Sequence, residues 1–150
     1  MIARRAQPQD YDAMASMARD FVAANPHATG FDEQAFASLF EKALEGHPLA
    51  FFVALDGGVA AGMLGGIHYP MYFNPADTVA QELFWWVDAP YRGTQAGRKL
   101  LDAFEVWAGR HGASRCMTTA MENNRIAAVN RLYQRMGYTP TERVYYKELA

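Results

Sequence analysis

The sequence predicts an α+β fold with a mixed sheet, in the order β-α-α-β-β-β-α-β-α-β. Three observations carry this. Two stretches of helical spacing precede the first long β-rich run, a Gly-Gly turn joins two such runs into a hairpin, and strands then alternate with helices. At 150 residues, with 51% hydrophobic and 20% charged residues, the chain fits one compact domain over 1–150.

Ile2 to Pro8 reads as a short first strand, with Asp10 or Asp12 placed to cap a helix whose apolar face is Met14, Met17, Ala18, Phe21 and Val22. Pro26 ends it. Phe31 to Leu44 repeats the helical spacing through Phe36, Leu39 and Phe40, and Gly46 and Pro48 stop it. Leu49–Leu55 and Val59–Tyr69 are strands on either side of Asp56-Gly57-Gly58, a turn that favours an antiparallel hairpin. Pro70 to Asp77 is expected to be an irregular link. A strand over 81–88 follows, then a short basic turn and a helix from Ala96 to His111, with Leu100, Leu101, Phe104 and Trp107 as its buried stripe. Arg115–Met121 reads as a strand, Ile126–Met136 as a helix with Asn123 and Asn124 suited to its N-cap, and Glu142–Leu149 as a last, alternating strand.

Charge and composition exclude several classes. A formal charge of −2 and a pI near 6.1 give no overall field for nucleic acid, so none is expected as a partner, although Arg92, Arg98, Lys99 and Arg131 are the residues that would form a local patch. The N-terminal residues Met1-Ile-Ala-Arg-Arg5 lack the apolar core of a signal peptide. No run approaches the roughly 18 apolar residues of a membrane span, so a soluble, cytoplasmic protein is expected. A single cysteine, Cys116, excludes an internal disulfide and suits a reducing compartment. No His or carboxylate spacing suggests a metal site. No Gly-x-Ser-x-Gly elbow marks a serine hydrolase.

The segment from Glu82 to Leu101 runs from an apolar strand through a glycine-bearing basic turn into an amphipathic helix. Helix N-terminal amides lack intrahelical partners and carry the positive end of the macrodipole, so the turn suits a diphosphate. Gly93 and Gly97 do not make Gly-x-Gly-x-x-Gly, and no Gly-Lys-Ser/Thr follows, so neither a Rossmann site nor a P-loop is supported. What does match is Val87-Asp-Ala-Pro90 followed by Arg92-Gly-Thr-Gln-Ala-Gly97, and later Asn130-Arg-Leu-Tyr133-Gln-Arg-Met-Gly137-Tyr138. On these two signatures the chain resembles the GNAT superfamily of acyl-CoA-dependent N-acyltransferases, over nearly its whole length.

The resemblance implies a GNAT-like, mostly antiparallel central sheet flanked by helices. It also implies transfer of an acetyl group from acetyl-CoA, as co-substrate, to a primary amine of a small molecule or peptide by direct attack in a ternary complex. Trp86 and Val87 would hold the pantetheine arm. Arg92, Gly93, Thr94, Gln95, Ala96, Gly97 and Arg98 would meet the diphosphate. Gln95 replaces the first glycine of the family pattern, which requires a right-handed backbone there and leaves the amide donor intact. Tyr133 aligns with the tyrosine that protonates the departing thiolate, while a core tyrosine on an amphipathic helix is the structural alternative. Asn130, three residues before it, shares its face and could bond the pantetheine or the adenine side; a solvated polar residue is the other reading.

Glu82 is the first candidate for general base, directly or through water, against a plain surface or edge carboxylate, and His68 is the second. His27, His47 and His111 read as structural, and Cys116 as core. Of Trp85 and Trp86, which alternation points to opposite faces, one should line a cavity. The stretches His68–Pro75 and Phe31–Phe40 are aromatic enough to form an acceptor pocket, to pack under a loop or to make a subunit contact. If exposed, residues 143–149 could pair across a homodimer. A catalytically silent acyl-CoA-binding module remains the alternative to a transferase.

Overall fold

A computed structural model describes residues 1–123 and 125–150. The chain separates into two compact units, Met1–Thr118 and Thr119–Ala150. The first contains strand β1 (Ile2–Arg5), helices α1 (Tyr11–Ala24) and α2 (Glu33–Glu45), strands β2 (Leu49–Asp56), β3 (Val59–Met71) and β4 (Asn74–Val87), helix α3 (Ala96–Arg110) and strand β5 (Ala113–Met117). The second contains helix α4 (Ile126–Arg135).

The sheet runs β1-β2-β3-β4-β5, antiparallel except for the parallel β4–β5 pair. Alternation along β2 divides its neighbours. Phe51 and Val53 pack with Met14, Met17, Phe36, Phe40 and Met63 on the α1/α2 face, while Phe52 meets Phe104 and Trp107 of α3 on the other. Asp32 caps α2, its Oδ1 accepting from the Ala35 amide at 2.9 Å. Gly57 and Gly58, at φ 57° and 89°, make the tight β2–β3 turn that the sequence signals.

Two expectations are corrected. The irregular link over 70–77 is instead a hairpin, since β3 runs to Met71 and β4 starts at Asn74. Pro70 is accommodated because it sits at a register shift near the strand end, where a missing N–H costs little. The final strand over 142–149 does not form among the described residues, and Val144, Tyr145 and Leu149 are 82%, 86% and 88% exposed. Alternation states which side chains a strand would bury; without ladder hydrogen bonds it cannot hold the backbone extended. Asn123 accepts from the Arg125 amide at 2.9 Å ahead of α4, whereas Asn124 lies outside the described residues.

Candidate active site

The β4–β5 ladder ends at the pair Gln81–Met117, whereas β4 itself continues to Val87. Residues 82–87 therefore run on beyond the ladder with β5. Within this stretch the register with β3 slips: Glu82 pairs with Gly66 and Phe84 with Gly65, leaving Leu83 as an extra residue. Such a bulge re-aims side chains. Phe84 lies against Gly65 and Phe51 on the α1/α2 face, whereas Gly66, opposite Glu82, turns its open side to Phe104 and Trp107 of α3. Glu82 thus belongs to the α3 face and is buried, 4% exposed.

Beyond Val87 a 3-10 turn over Ala89–Tyr91 leads to Gly93, at φ 82°, and into α3. A side chain at 93 would be strained in this left-handed conformation. Gln95 is right-handed, at φ −78°, as its β-carbon requires. Gly97 is the close approach. An ideal β-carbon there would stand 2.7 Å from Cζ2 of Trp85, so its absence lets the first turn of α3 settle on β4.

Not every amide of the turn is available. The Thr94 amide donates to the Tyr91 carbonyl at 3.2 Å, and the Thr94 hydroxyl accepts from the Ala96 amide at 3.2 Å. Those of Gly93, Gln95, Gly97 and Arg98 meet no protein acceptor among the described residues. Gly93, Gln95 and Arg98 are exposed. Four amides without a protein acceptor, three of them on exposed residues, at the positive end of a 15-residue helix suit a diphosphate.

The basic side chains divide their work. Arg92 donates from Nε to the Val87 carbonyl at 2.9 Å and lies 4.8 Å over the Trp86 ring, whose Nε1 donates to Asp88 Oδ1 at 2.7 Å. This network ties the end of β4 to the turn. Arg98 is exposed, with Nε 3.8 Å from Asp102 Oδ2 one helical turn on, a contact weak enough to yield to an anion.

In the second unit, Tyr133 is buried and its hydroxyl donates to the Thr119 carbonyl at 2.6 Å. Its ring packs 5.4 Å from that of Tyr138. Asn130 is exposed on α4.

His68 is not alone. Its Nε2 hydrogen-bonds His47 Nδ1, and the rings of His111 and Trp107 lie 5.4 Å away on the α3 face. Burial, then the neighbouring His47 and His111, lower its pKa and hold it neutral. Positions 47, 68 and 111 share no periodicity, so this cluster had no signal in the sequence. Burial pushes the Cys116 thiol up to about 11, which makes it a poor nucleophile.

A cleft of about 410 Å³ opens on the α1/α2 face between α1, the 25–32 loop and α2. Phe31, Phe36 and Leu39 line it, whereas Phe40 packs in the core and none of His68–Pro75 lines the cleft. No group of three or more metal-binding side chains occurs among the described residues, and no helix among them is long and apolar enough to cross a membrane.

Known structures share this architecture. AAC(6')-Iy, solved with the bisubstrate analogue CoA-S-monomethyl-acetylneamine, superposes with a TM-score of 0.78 at 20% identity, over 99% of this chain and 97% of that one. A transcriptional regulator from Bacillus halodurans gives 0.77 at 17% identity, over 98% of each chain. The aminoglycoside 6'-N-acetyltransferase AAC(6')-IG from Acinetobacter haemolyticus gives 0.75 at 16% identity, over 100% and 99%. Among curated proteins nothing matches. The family described as Acetyltransferase (GNAT) matches residues 12–138, more than four-fifths of the chain, a span that includes the strand-turn-helix junction just described. The chain therefore belongs to the GNAT acetyltransferase family.

Proposed function

We propose that residues 1–150 act as one acyltransferase domain that moves an acetyl group from acetyl-CoA to a primary amine in a ternary complex. The observation that carries this is the set of four amides without a protein acceptor, Gly93, Gln95, Gly97 and Arg98, in the turn that follows a strand outrunning its parallel neighbour. Acetyl-CoA supplies an acetyl group activated as a thioester. The chain's residues then hold and orient. The four amides and the Arg98 side chain bind the diphosphate, and the end of β4 at Trp86 and Val87, braced by Arg92, lines the pantetheine arm.

In the proposed reaction the amine nitrogen bonds to the acetyl carbon, the C–S bond breaks, and the sulfur leaves as thiolate. A backbone N–H near the Leu83 bulge polarises the carbonyl, and Tyr133 gives its phenolic proton to the thiolate. Glu82, on the α3 face, takes the amine proton through water that passes the edge of β4 where β5 no longer pairs with it, beyond Gln81. Asn130, exposed one turn before Tyr133, is free to meet the cofactor. A soluble, cytoplasmic setting with small-molecule or peptide amines as partners completes the proposal.

The alternative, a silent acyl-CoA-binding module, is favoured by one contact: the Tyr133 hydroxyl already donates to Thr119. Calorimetric titration with CoA, followed by acetyl-CoA-dependent thiol release across an amine panel, separates the two. Binding with transfer supports the enzyme, and binding without transfer supports the module. No heat at millimolar CoA removes both.

A further inference from the structure

We infer that the acceptor of the proposed transferase is a primary amine carried on an apolar group of about the size of an aromatic ring, and that polycationic aminosugars are poor acceptors. This rests on the transferase reading and concerns the cleft on the α1/α2 face. Its floor is Met63 and Phe84, and its walls include Phe21, Phe31, Phe36 and Leu39. Phe21 packs 6.2 Å from Phe84 and edge-on, at 6.3 Å, against Trp86. The cleft floor is therefore the same stretch of β4 that runs beyond the ladder with β5, on the face opposite Glu82.

Its chemistry is lopsided. Asp32 is the single ionisable residue lining it. The neighbouring Glu33 is neutralised by Arg19 at 2.7 Å, and the Arg19 guanidinium lies 5.3 Å over the Phe31 ring. One carboxylate matches one ammonium. An aminosugar brings several ammonium groups and a ring of hydroxyls, and on this lining they would lose water without gaining partners. An aromatic side group loses only unfavourable hydration, and about 410 Å³ lies within the range of small-ligand sites. Burying such a ring is worth a preference of about 100-fold.

The test compares phenethylamine with kanamycin as acceptors, by thiol release from acetyl-CoA. A kcat/KM about 100-fold higher for phenethylamine is expected. Leu39→Asp, at the half-open rim, and Phe31→Ala, in the loop ahead of the helix, should each lower the phenethylamine value about tenfold while leaving the KM for acetyl-CoA unchanged. Kanamycin matching or exceeding phenethylamine overturns the inference while the transferase reading stands. So does indifference of phenethylamine turnover to both substitutions. Turnover of neither amine also overturns it, and the same CoA titration then shows whether the cofactor site has failed with it.

Discussion

Two glycines on one helix separate sterics from propensity. Gly97 and Gly109 both lie in α3, but the β-carbon built at Gly97 stands 2.7 Å from Trp85 Cζ2, whereas the one at Gly109 has nothing within 4 Å. Relieving the first contact to an ordinary 3.4 Å requires the Trp85 ring or the first turn of α3 to give by about 0.7 Å. That strain costs about 1–3 kcal/mol. Replacing glycine by alanine in a helix returns up to ~1 kcal/mol at either position, so the difference between Gly97→Ala and Gly109→Ala isolates the strain. For a chain of this length 1 kcal/mol moves Tm by roughly 2–4 °C, which places Gly109→Ala slightly above the native protein and Gly97→Ala roughly 2–12 °C below Gly109→Ala. Either displacement also disturbs the seat of the first turn of α3, so CoA should bind about tenfold more weakly to Gly97→Ala alone. Thermal unfolding by circular dichroism and calorimetric titration read both effects. A Gly97→Ala protein as stable as Gly109→Ala, with native CoA affinity, would refute the account of how α3 seats on β4.

Three further outcomes follow from other parts of the molecule. Tyr133→Phe should lower kcat by about 100-fold while leaving the KM for acetyl-CoA nearly unchanged, the mark of a proton donor used only in the transition state. Cys116, its thiol pushed up to about 11, should resist iodoacetamide at pH 8 in the folded protein and react once it is unfolded by urea. Because His68 is held neutral, the unfolded chain takes up a proton that the folded one refuses. Its contribution to stability is complete above the ordinary pKa of 6.5 and lost as pH falls below it, with a slope of at most about 1.4 kcal/mol per pH unit. Urea unfolding at pH 7.5 and 5.5 should show a shallower acid loss in His68→Gln, and an equal loss would contradict the role of the cluster.

Much of this architecture was legible because local signals agreed with one another. Gly46 after the stripe of Phe36, Leu39 and Phe40, Gly57-Gly58 between two β-rich runs, and Gly93 before an amphipathic stripe each name an element boundary by a steric or hydrogen-bonding need. The strand-turn-helix order from β4 into α3 was legible for the same reason. What escaped depends on register and on distant partners. Strict alternation puts Glu82 with Phe84 and Trp86, but the bulge at Leu83 sends Glu82 to the α3 face, and nothing in the local sequence announces a bulge. The turn amides looked equivalent until Thr94 was seen to take that of Ala96. The histidine cluster gathers positions 21 and 43 residues apart from His68 or its partners, beyond any local pattern. The alternating tail at 142–149 shows the opposite error, a strand pattern with no strand.

Four backbone amides are assigned the diphosphate, and amide-resolved NMR reads that assignment directly. On titrating CoA into ¹⁵N-labelled protein, the amide protons of Gly93, Gln95, Gly97 and Arg98 should move downfield as they gain anionic acceptors, while those of Thr94 and Ala96, already bonded within the turn, should move little. Saturating CoA that leaves those four resonances in place, or shifts a different part of the chain, would contradict it.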